Sequence, residues 1–395
     1  MFIGKIWSNR SCRAAAGLFL LLWLIFPSQA RAGEPQIEAS SAILMDALTG
    51  QVLWSKDPHK RLPQASTTKI TTAILALERG NLNDLVRTSK KAAEVGEASI
   101  YLGEGETLTL EELLYALLLR SANDAAVAIA EHIAGSEEEF VKLMNAKARE
   151  IGAENTHYAN PHGLSAPDHY SSAYDLALIA RYALQNPKFK EIVATKETII
   201  PWPGKPWDRL LVNNNQLLWG YYAYPGADGV KTGYTREAGQ VLVASATRDG
   251  HQLIAVVMNS PNRYDETRRL LDYGFEHFTH RVLMGRGERV AMAPVSRGLG
   301  EAVPAVTASP VVVAVPKGAP LEWQQDIQIW PGLAAPLKRG DKVGAVVFKW
   351  EDHKVTVDLV AGEDMREQPW WLAFIQAFIN IFHFPWVRLS WPVLS

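Results

Sequence analysis

The sequence predicts an α/β (α+β) fold: one antiparallel sheet covered by helices, then a small all-β module, then a C-terminal amphipathic helix. Three observations carry this. Strand-like runs open the globular part and return after Lys231. Helical periodicity fills the interval between them. Past Met284 the texture changes to short β-branched runs separated by Pro and Gly.

Taken in order, Ser41 to Trp54 reads as a hairpin: Ala42 to Met45, a turn ending at Gly50, then Gln51 to Trp54. Ser66 to Arg79 reads as a helix with Ile70, Ala73, Ile74 and Leu77 on one face, stopped by Gly80. Thr109 and Glu112 form a capping box for a helix whose core face is Leu110, Leu113, Leu114 and Leu117. A helix at about Ala125 to Ile133 follows, so Ser121 and Asn123 fall in the short turn between two helices. A further helix lies around Asp175 to Leu184. Gln240 to Thr247 and Gln252 to Asn259 alternate as strands about a turn at Asp249-Gly250, and a helix from Tyr264 to Phe278 closes the region.

Val311 to Val313, Ile327 to Trp330, Val343 to Phe348 and Val355 to Val360 are the strands of the all-β module, which spans about 80 residues. It holds no titratable cluster suggestive of a second active site. The resulting organisation is a leader over 1–32, a main domain over 33–283, the β module over 284–365 and a terminal segment over 366–395. There is no internal repeat.

The 395 residues are 48% hydrophobic and 21% charged, an ordinary globular composition. Formal net charge is −2, and about −6 without the leader (36 basic against 42 acidic residues), which argues against a nucleic-acid-binding surface. Lys5, Arg10 and Arg13 precede an apolar run from Ala14 to Phe26, and Ala30-Arg31-Ala32 supplies an A-x-A cleavage site. This reads as a secretory signal; the alternative is an uncleaved anchor, for which the run of about 13 residues is short. The single cysteine, Cys12, precedes that run, so the exported chain would carry no disulfide and no thiolate chemistry.

At the other end, Pro369 to Trp386 is rich in Trp, Phe and Ile. Gln376, Asn380 and His383 would fall in one narrow stripe of a helix. Trp370, Trp371 and Trp386 flank it, as at a membrane–water interface. A helix from Trp370 to Phe384 would be roughly 22 Å long, too short to cross a bilayer, so we read it as lying in the membrane surface. The alternative is a helix docked on the protein's own core.

Three short motifs carry the chemistry: Ser66-Thr67-Thr68-Lys69, Ser121-Ala122-Asn123 and Lys231-Thr232-Gly233. Each is weak alone, and S-x-N recurs at Ser260-Pro261-Asn262; order and spacing select Ser121. Ser66 opens a helix and Lys69 lies one turn on, on the same face. A serine hydroxyl needs a base, and a lysine can serve only if burial or nearby positive charge lowers its pKa. Lys231, sharing the cleft, would supply that charge. The Ser66 N–H and the helix start would form half of an oxyanion hole.

Ser121 could pass a proton between Lys69 and a leaving amine, and the Asn123 carboxamide could hold a peptide backbone. Helix capping by Asn123 or Asp124 is an alternative compatible with this. Lys231 and Thr232 would bind a carboxylate, Gly233 would let a ligand lie close to its strand, and Tyr234 would give its backbone N–H as the second oxyanion donor. Other chemistries fit less well. Glu131-His132 lacks a second histidine, no cluster shows metal-ligand spacing, and there is no G-x-S-x-G elbow or phosphate-cradling glycine loop. Asn160-Pro161-His162-Gly163-Leu164 reads as a tight turn in which His162 is structural.

The motif set is that of penicillin-binding proteins and class A β-lactamases. Residues from about Pro35 to His280 resemble the low-molecular-mass penicillin-binding proteins that act as serine-type D-alanyl-D-alanine carboxypeptidases. Pro63 to Lys69, Ser121 to Ala126, Asn160 to Leu164 and Gly229 to Thr235 carry the resemblance, as does the layout of leader, catalytic domain, β domain and terminal anchor. The anchor departs from the family in being more apolar and less basic. The resemblance implies a fold of the β-lactamase/DD-peptidase type and an enzyme of peptidoglycan synthesis and cell wall biogenesis on the outer face of the cytoplasmic membrane. Ser66 would attack the carbonyl between the two terminal D-alanines of a stem peptide while Lys231 and Thr232 hold its carboxylate. β-Lactam antibiotics would acylate the same serine, and no metal or organic cofactor is implied. The rivals are a serine β-lactamase, for which the added glutamate pattern is missing, a non-catalytic wall binder, and a transpeptidase or endopeptidase using the same acyl-enzyme.

Overall fold

The structure, a computed structural model, describes residues 33–350, 353–372 and 374–375. The signal-peptide expectation and most of the expected membrane-surface helix lie outside the described residues. The fold that follows is that of the compact unit beginning at Glu38.

In chain order, β1 (Ser41–Asp46) and β2 (Val52–Lys56) form the first hairpin, and a 3-10 turn over Ala65–Thr68 leads into α1 (Lys69–Arg79). Next come β3 (Leu85–Arg87), α2 (Lys90–Glu94), β4 (Thr107–Thr109) and α3 (Leu110–Tyr115). A π turn, Ala116–Arg120, then precedes α4 (Asn123–Ala134). α5 (Glu137–Ile151), α6 (Ala173–Ala183) and α7 (Pro187–Ala194) complete the helical middle, and β5 (Glu197–Ile200) with β6 (Arg209–Val212) makes a short ribbon. β7 (Ala227–Thr235), β8 (Gly239–Arg248) and β9 (His251–Ser260) return to the sheet, and α8 (Arg263–His277) closes it.

The main sheet is antiparallel, in the order β2-β1-β9-β8-β7. Every residue of β1 is buried because helices cover both faces. Ile43 and Met45 join the large core with Ile70, Ala73 and Ile74 of α1, whereas Leu44 and Leu253 lie against Gly274 of α8. α1 is itself wrapped by α4, α5 and α6. Its first turn therefore lies deep between sheet and helices, and every residue from Lys69 to Ala76 is buried.

The Thr109–Glu112 capping box forms as expected. The β8–β9 turn is a two-residue turn with both Asp249 (φ 50) and Gly250 (φ 79) left-handed, the twist-matching geometry for a hairpin. Gly80 ends α1 as expected; it is extended (φ −100), and a Cβ there would lie 2.4 Å from Leu110 Cδ2. Two local expectations are corrected. Ser66 lies in a 3-10 turn rather than in α-helix. α4 begins at Asn123, with Ala122 in the N-cap position and no side-chain cap. The Asp124 carboxylate instead accepts Ser99 Oγ and the N–H groups of Ile100 and Leu102, which fixes the 99–102 loop. Tertiary partners outcompete the local cap.

From Phe278 to Ala361 the described chain is all β. β10 (Phe278–Met284) pairs with β13 (Val311–Pro316). β11 (Arg289–Pro294), β12 (Ala302–Thr307), β14 (Gln324–Ile329), β15 (Lys342–Trp350) and β16 (His353–Ala361) form a second antiparallel sheet in the order β11-β12-β16-β15-β14. Strict alternation along β12 turns Val303, Ala305 and Thr307 inward, onto a core with Val343, Val346, Phe348 and Leu359. The edge strand β14 is polar and almost wholly exposed, which discourages pairing with another chain. Among the described residues no helix is long and apolar enough to cross a membrane.

Candidate active site

Ser66 sits in the 3-10 turn ahead of α1. Ala65, immediately before it, has φ 49, a left-handed conformation that is costly for a residue with a Cβ and persists only when its surroundings enforce it. Thr68 Oγ1 donates to the Ala65 carbonyl at 2.8 Å. His169 supports Thr68 in turn. Its Nδ1 accepts the Ala159 N–H at 3.0 Å, which leaves the ring proton on Nε2, 2.8 Å from Thr68 Oγ1. Burial, helped by neighbouring positive groups, holds His169 neutral by bringing its pKa down to about 3. From the opposite side Gly163 (φ 92) presses on the same turn: a Cβ there would stand 2.0 Å from the Ala65 carbonyl oxygen and 2.9 Å from the Ser66 nitrogen.

Lys69 is fully buried, with its Nζ 3.2 Å from Ser66 Oγ. Two further acceptors hold it: Asn123 Oδ1 at 2.7 Å and the His162 carbonyl. Burial first, and the Lys231 charge second, push its pKa well below that of an ordinary lysine, against the opposing pull of Asp124 and Glu97. An amine whose proton is held less tightly, at hydrogen-bond distance from a hydroxyl, is the arrangement a serine nucleophile requires. His162 contributes its backbone here; its ring faces Glu137.

Asn123 is the first residue of α4, and its amide nitrogen donates to the Gly96 carbonyl at 3.0 Å. Both ends of the carboxamide are thus engaged by the protein, and its oxygen orients Lys69. Ser121 follows the π turn in a left-handed conformation (φ 62). Its hydroxyl is buried yet makes no hydrogen bond. Buried polar groups are rarely left without a partner, so this unpaired hydroxyl beside Asn123 is free to meet a ligand.

Lys231 is buried in β7, and its Nζ donates to the Thr232 carbonyl at 3.0 Å. Burial, then the Arg263 guanidinium, brings its pKa down to about 7. β7 is the edge strand of the sheet, and the Ser66 turn packs along it. Gly233 makes that contact possible: a Cβ would lie 3.1 Å from Ala65 Cβ and 3.2 Å from the Ser66 nitrogen. Its small size therefore serves the approach of the nucleophile turn to the strand. The Tyr234 ring is exposed, which leaves its backbone as the part available to the cleft.

Sequence reasoning missed Arg263. Its Nη1 donates to the Gly233 carbonyl at 3.0 Å, and its buried Nε makes no hydrogen bond, so a second cation stands behind Lys231. Gly163, His169 and the His162 carbonyl were also missed as parts of the site, although the Asn160–Leu164 turn had been noticed. Asn160 forms that turn by accepting the Gly163 N–H and donating to the Leu164 carbonyl. A cleft of about 320 Å³ opens beside the Ser66 turn, bordered by Ala65, Gly163, Ser165, His169, Thr235 and Glu237.

Two depressed lysines predict a bell-shaped pH dependence for acylation by a penicillin. The acid limb follows deprotonation of Lys69, and the alkaline limb follows loss of the Lys231 charge above about pH 7. A rate that stays flat from about pH 6 to about pH 10 would remove Lys231 as a charged anchor. Stability runs the other way. Lys231 has a folded pKa of about 7 against an ordinary 10.5, so the unfolded chain holds the proton more tightly across that window. Its contribution to stability is therefore lowest below about 7 and recovers as pH rises.

A hydroxyl within hydrogen-bond distance of a buried lysine suits serine acyl transfer, and the chain's relatives bear on that reading. The profile of the D-alanyl-D-alanine carboxypeptidase family matches residues 28–262, and that of the penicillin-binding protein 5 C-terminal domain matches residues 278–367. The chain is 39% identical over 350 residues to the Bacillus subtilis D-alanyl-D-alanine carboxypeptidase DacF, a match covering 85% of this chain and 88% of that protein. Penicillin binding protein 5 from Haemophilus influenzae superposes with a TM-score of 0.71 at 30% identity, over 85% of this chain and 99% of that one. A peptidoglycan synthesis regulatory factor from Streptococcus pneumoniae superposes at 0.73 and 31%, over 84% and 100%. The chain belongs to the D-alanyl-D-alanine carboxypeptidase family.

Proposed function

We propose that the protein removes the terminal D-alanine from peptidoglycan stem pentapeptides through an acyl-enzyme on Ser66. Lys69 takes the proton of the Ser66 hydroxyl as its oxygen attacks the carbonyl between the two terminal D-alanines. The N–H groups of Ser66 and Tyr234 receive the oxyanion, and the Ser121 hydroxyl carries the proton to the leaving amine. Lys231 and Thr232, with Arg263 behind them, hold the terminal carboxylate, and Asn123 positions Lys69 and meets the peptide backbone. D-Alanine departs and water cleaves the ester. The observation that carries this reading is the 3.2 Å separation of Lys69 Nζ and Ser66 Oγ, with both lysines buried and depressed in pKa.

A β-lactam presents an amide and a carboxylate in the same relation and so acylates Ser66 too. Incubating the full chain with a penicillin should add the mass of one drug per chain, and peptide mapping should place it on the peptide containing Ser66. An adduct elsewhere, or none, would refute the assignment. The family acts on the cell wall, so the protein works outside the cytoplasmic membrane, reached by way of the leader over 1–32. The apolar, tryptophan-flanked segment over 366–395 rests on the membrane surface; its aromatic composition supports this.

A further inference from the structure

Asp46, at the end of β1, is wholly buried and accepts hydrogen bonds from two histidines on the same oxygen. His251 Nε2, at the start of β9, is 2.9 Å from Asp46 Oδ2, and His280 Nε2, on β10, is 2.7 Å from it. The two imidazole rings stand with centroids 4.3 Å apart. The cluster lies at the end of the sheet opposite Gly233: His251 pairs with Arg248, whereas Gly233 pairs with Val241. Seven residues of β8 separate those positions, roughly 20 Å along the strand. None of the three side chains belongs to the active site.

We propose that Asp46, His251 and His280 bind one divalent transition-metal ion of the zinc type. Two nitrogens and one carboxylate oxygen, from three separate strands, form the three-ligand set that zinc takes with a water in fourth position. All three ligand atoms lie within 4.8 Å of one another. The other carboxylate oxygen is already occupied: Asp46 Oδ1 accepts both the N–H and the hydroxyl of Thr49, each at 2.7 Å. That fixes the carboxylate plane and leaves Oδ2 to the ligand side, the supporting arrangement that metal-binding carboxylates show.

The histidines are partly exposed, at 13% and 21% of their side-chain surface, so an ion can enter from solvent. Tetrahedral coordination asks ligand atoms to stand about 3.3 Å apart, so the two histidine contacts to Asp46, at 2.9 and 2.7 Å, would open by about half an ångström. Arg181, from α6, is spent on the carbonyls of Ala47 and Leu48 in the turn after Asp46. The ion would tie β10 to the main sheet. Separations of 205 and 234 residues hide the cluster from any search for local ligand spacing.

The test is zinc titration of the chelator-treated full chain by calorimetry, with His251→Ala, His280→Ala and the surface control His132→Ala. One ion per wild-type chain is expected, with affinity lowered about 100-fold or more by either ligand substitution and unchanged by the control. Zinc should raise the melting temperature of the wild type and not of the two ligand variants. Undiminished penicillin labelling of Ser66 would show that the variants remain folded. Cobalt(II) added to the wild type should give the visible bands of a four-coordinate site, a readout that needs no variant. Absence of stoichiometric zinc binding, absence of those bands, or equal affinity in wild type and both folded ligand variants overturns the proposal. The cluster would then be a hydrogen-bonded pair of histidines on one aspartate.

Discussion

Lys69→Met is expected to slow acylation of Ser66 by roughly 10³-fold while leaving the melting temperature unchanged or higher. The side chain is wholly buried, its Nζ lies 3.2 Å from the nucleophile, and no other base is placed within hydrogen-bond distance of Ser66 Oγ among the described residues. Methionine keeps most of the volume, so the core does not collapse. The stability argument has two opposing parts. Losing the amine leaves Asn123 Oδ1 and the His162 carbonyl short of a donor, which costs about 1–3 kcal/mol. Against that, the folded state disfavours the charged amine, since its pKa is lowered on folding. Removing it relieves a penalty that is largest at pH values below the folded pKa, so the variant should gain on wild type as pH falls. The check is the rate of labelled penicillin uptake beside thermal melting at two pH values. Uptake near the wild-type rate would eliminate Lys69 as the base.

Gly163→Ala should damage the enzyme from a position that has no reacting group. Its φ of 92 is strained for any side chain, and the new Cβ would sit 2.0 Å from the Ala65 carbonyl oxygen and 2.5 Å from its carbon. Backbone is met on the far side, so the clash can be relieved only by moving the Ser66 turn or the Asn160–Leu164 loop. Either movement disturbs Lys69 as well, because the His162 carbonyl is one of its acceptors. We expect a loss of at least about 3 kcal/mol, read as a fall of roughly 6–12 °C in melting temperature, together with a severe loss of acylation. Gly152→Ala is the control. It too is left-handed (φ 85), but a Cβ there meets nothing within 4 Å, so only about 1 kcal/mol and no loss of acylation are expected. Equal behaviour of the two variants would show that backbone strain alone, not contact with Ala65, sets the effect.

What was legible in the sequence was local or periodic. The capping box at Thr109, the Asp249-Gly250 turn and the alternating strands around it depend on neighbours a few residues away, and they form as the pattern implies. The helix over Glu137–Ile151 carries local signals of the same kind, with Ser136 capping it and Gly152 ending it. Other features have no local signal. The leucine run at Ala116–Arg120 reads as plain helix, yet it unwinds into a π turn that throws Ser121 into a left-handed conformation. Asn123 reads as a holder of peptide backbone or as a cap, and nothing local shows that its oxygen meets Lys69, 54 residues earlier. Arg263 has no local signal, and only the packing of α8 against the sheet brings it to Gly233. The motifs picked out Ser66 and the two lysines; the partners that hold Lys69 beside Ser66 are assembled only by the tertiary fold.

The central claim is that Ser66 cleaves the bond between two terminal D-alanines. The most direct measurement is release of free D-alanine from a stem-peptide mimic ending in D-Ala-D-Ala, with the full chain and with Ser66→Ala compared at equal concentration. The account predicts release by the wild type and none above background from the variant. Release that persists in Ser66→Ala, or a wild type that takes up penicillin at Ser66 yet frees no D-alanine, would contradict it.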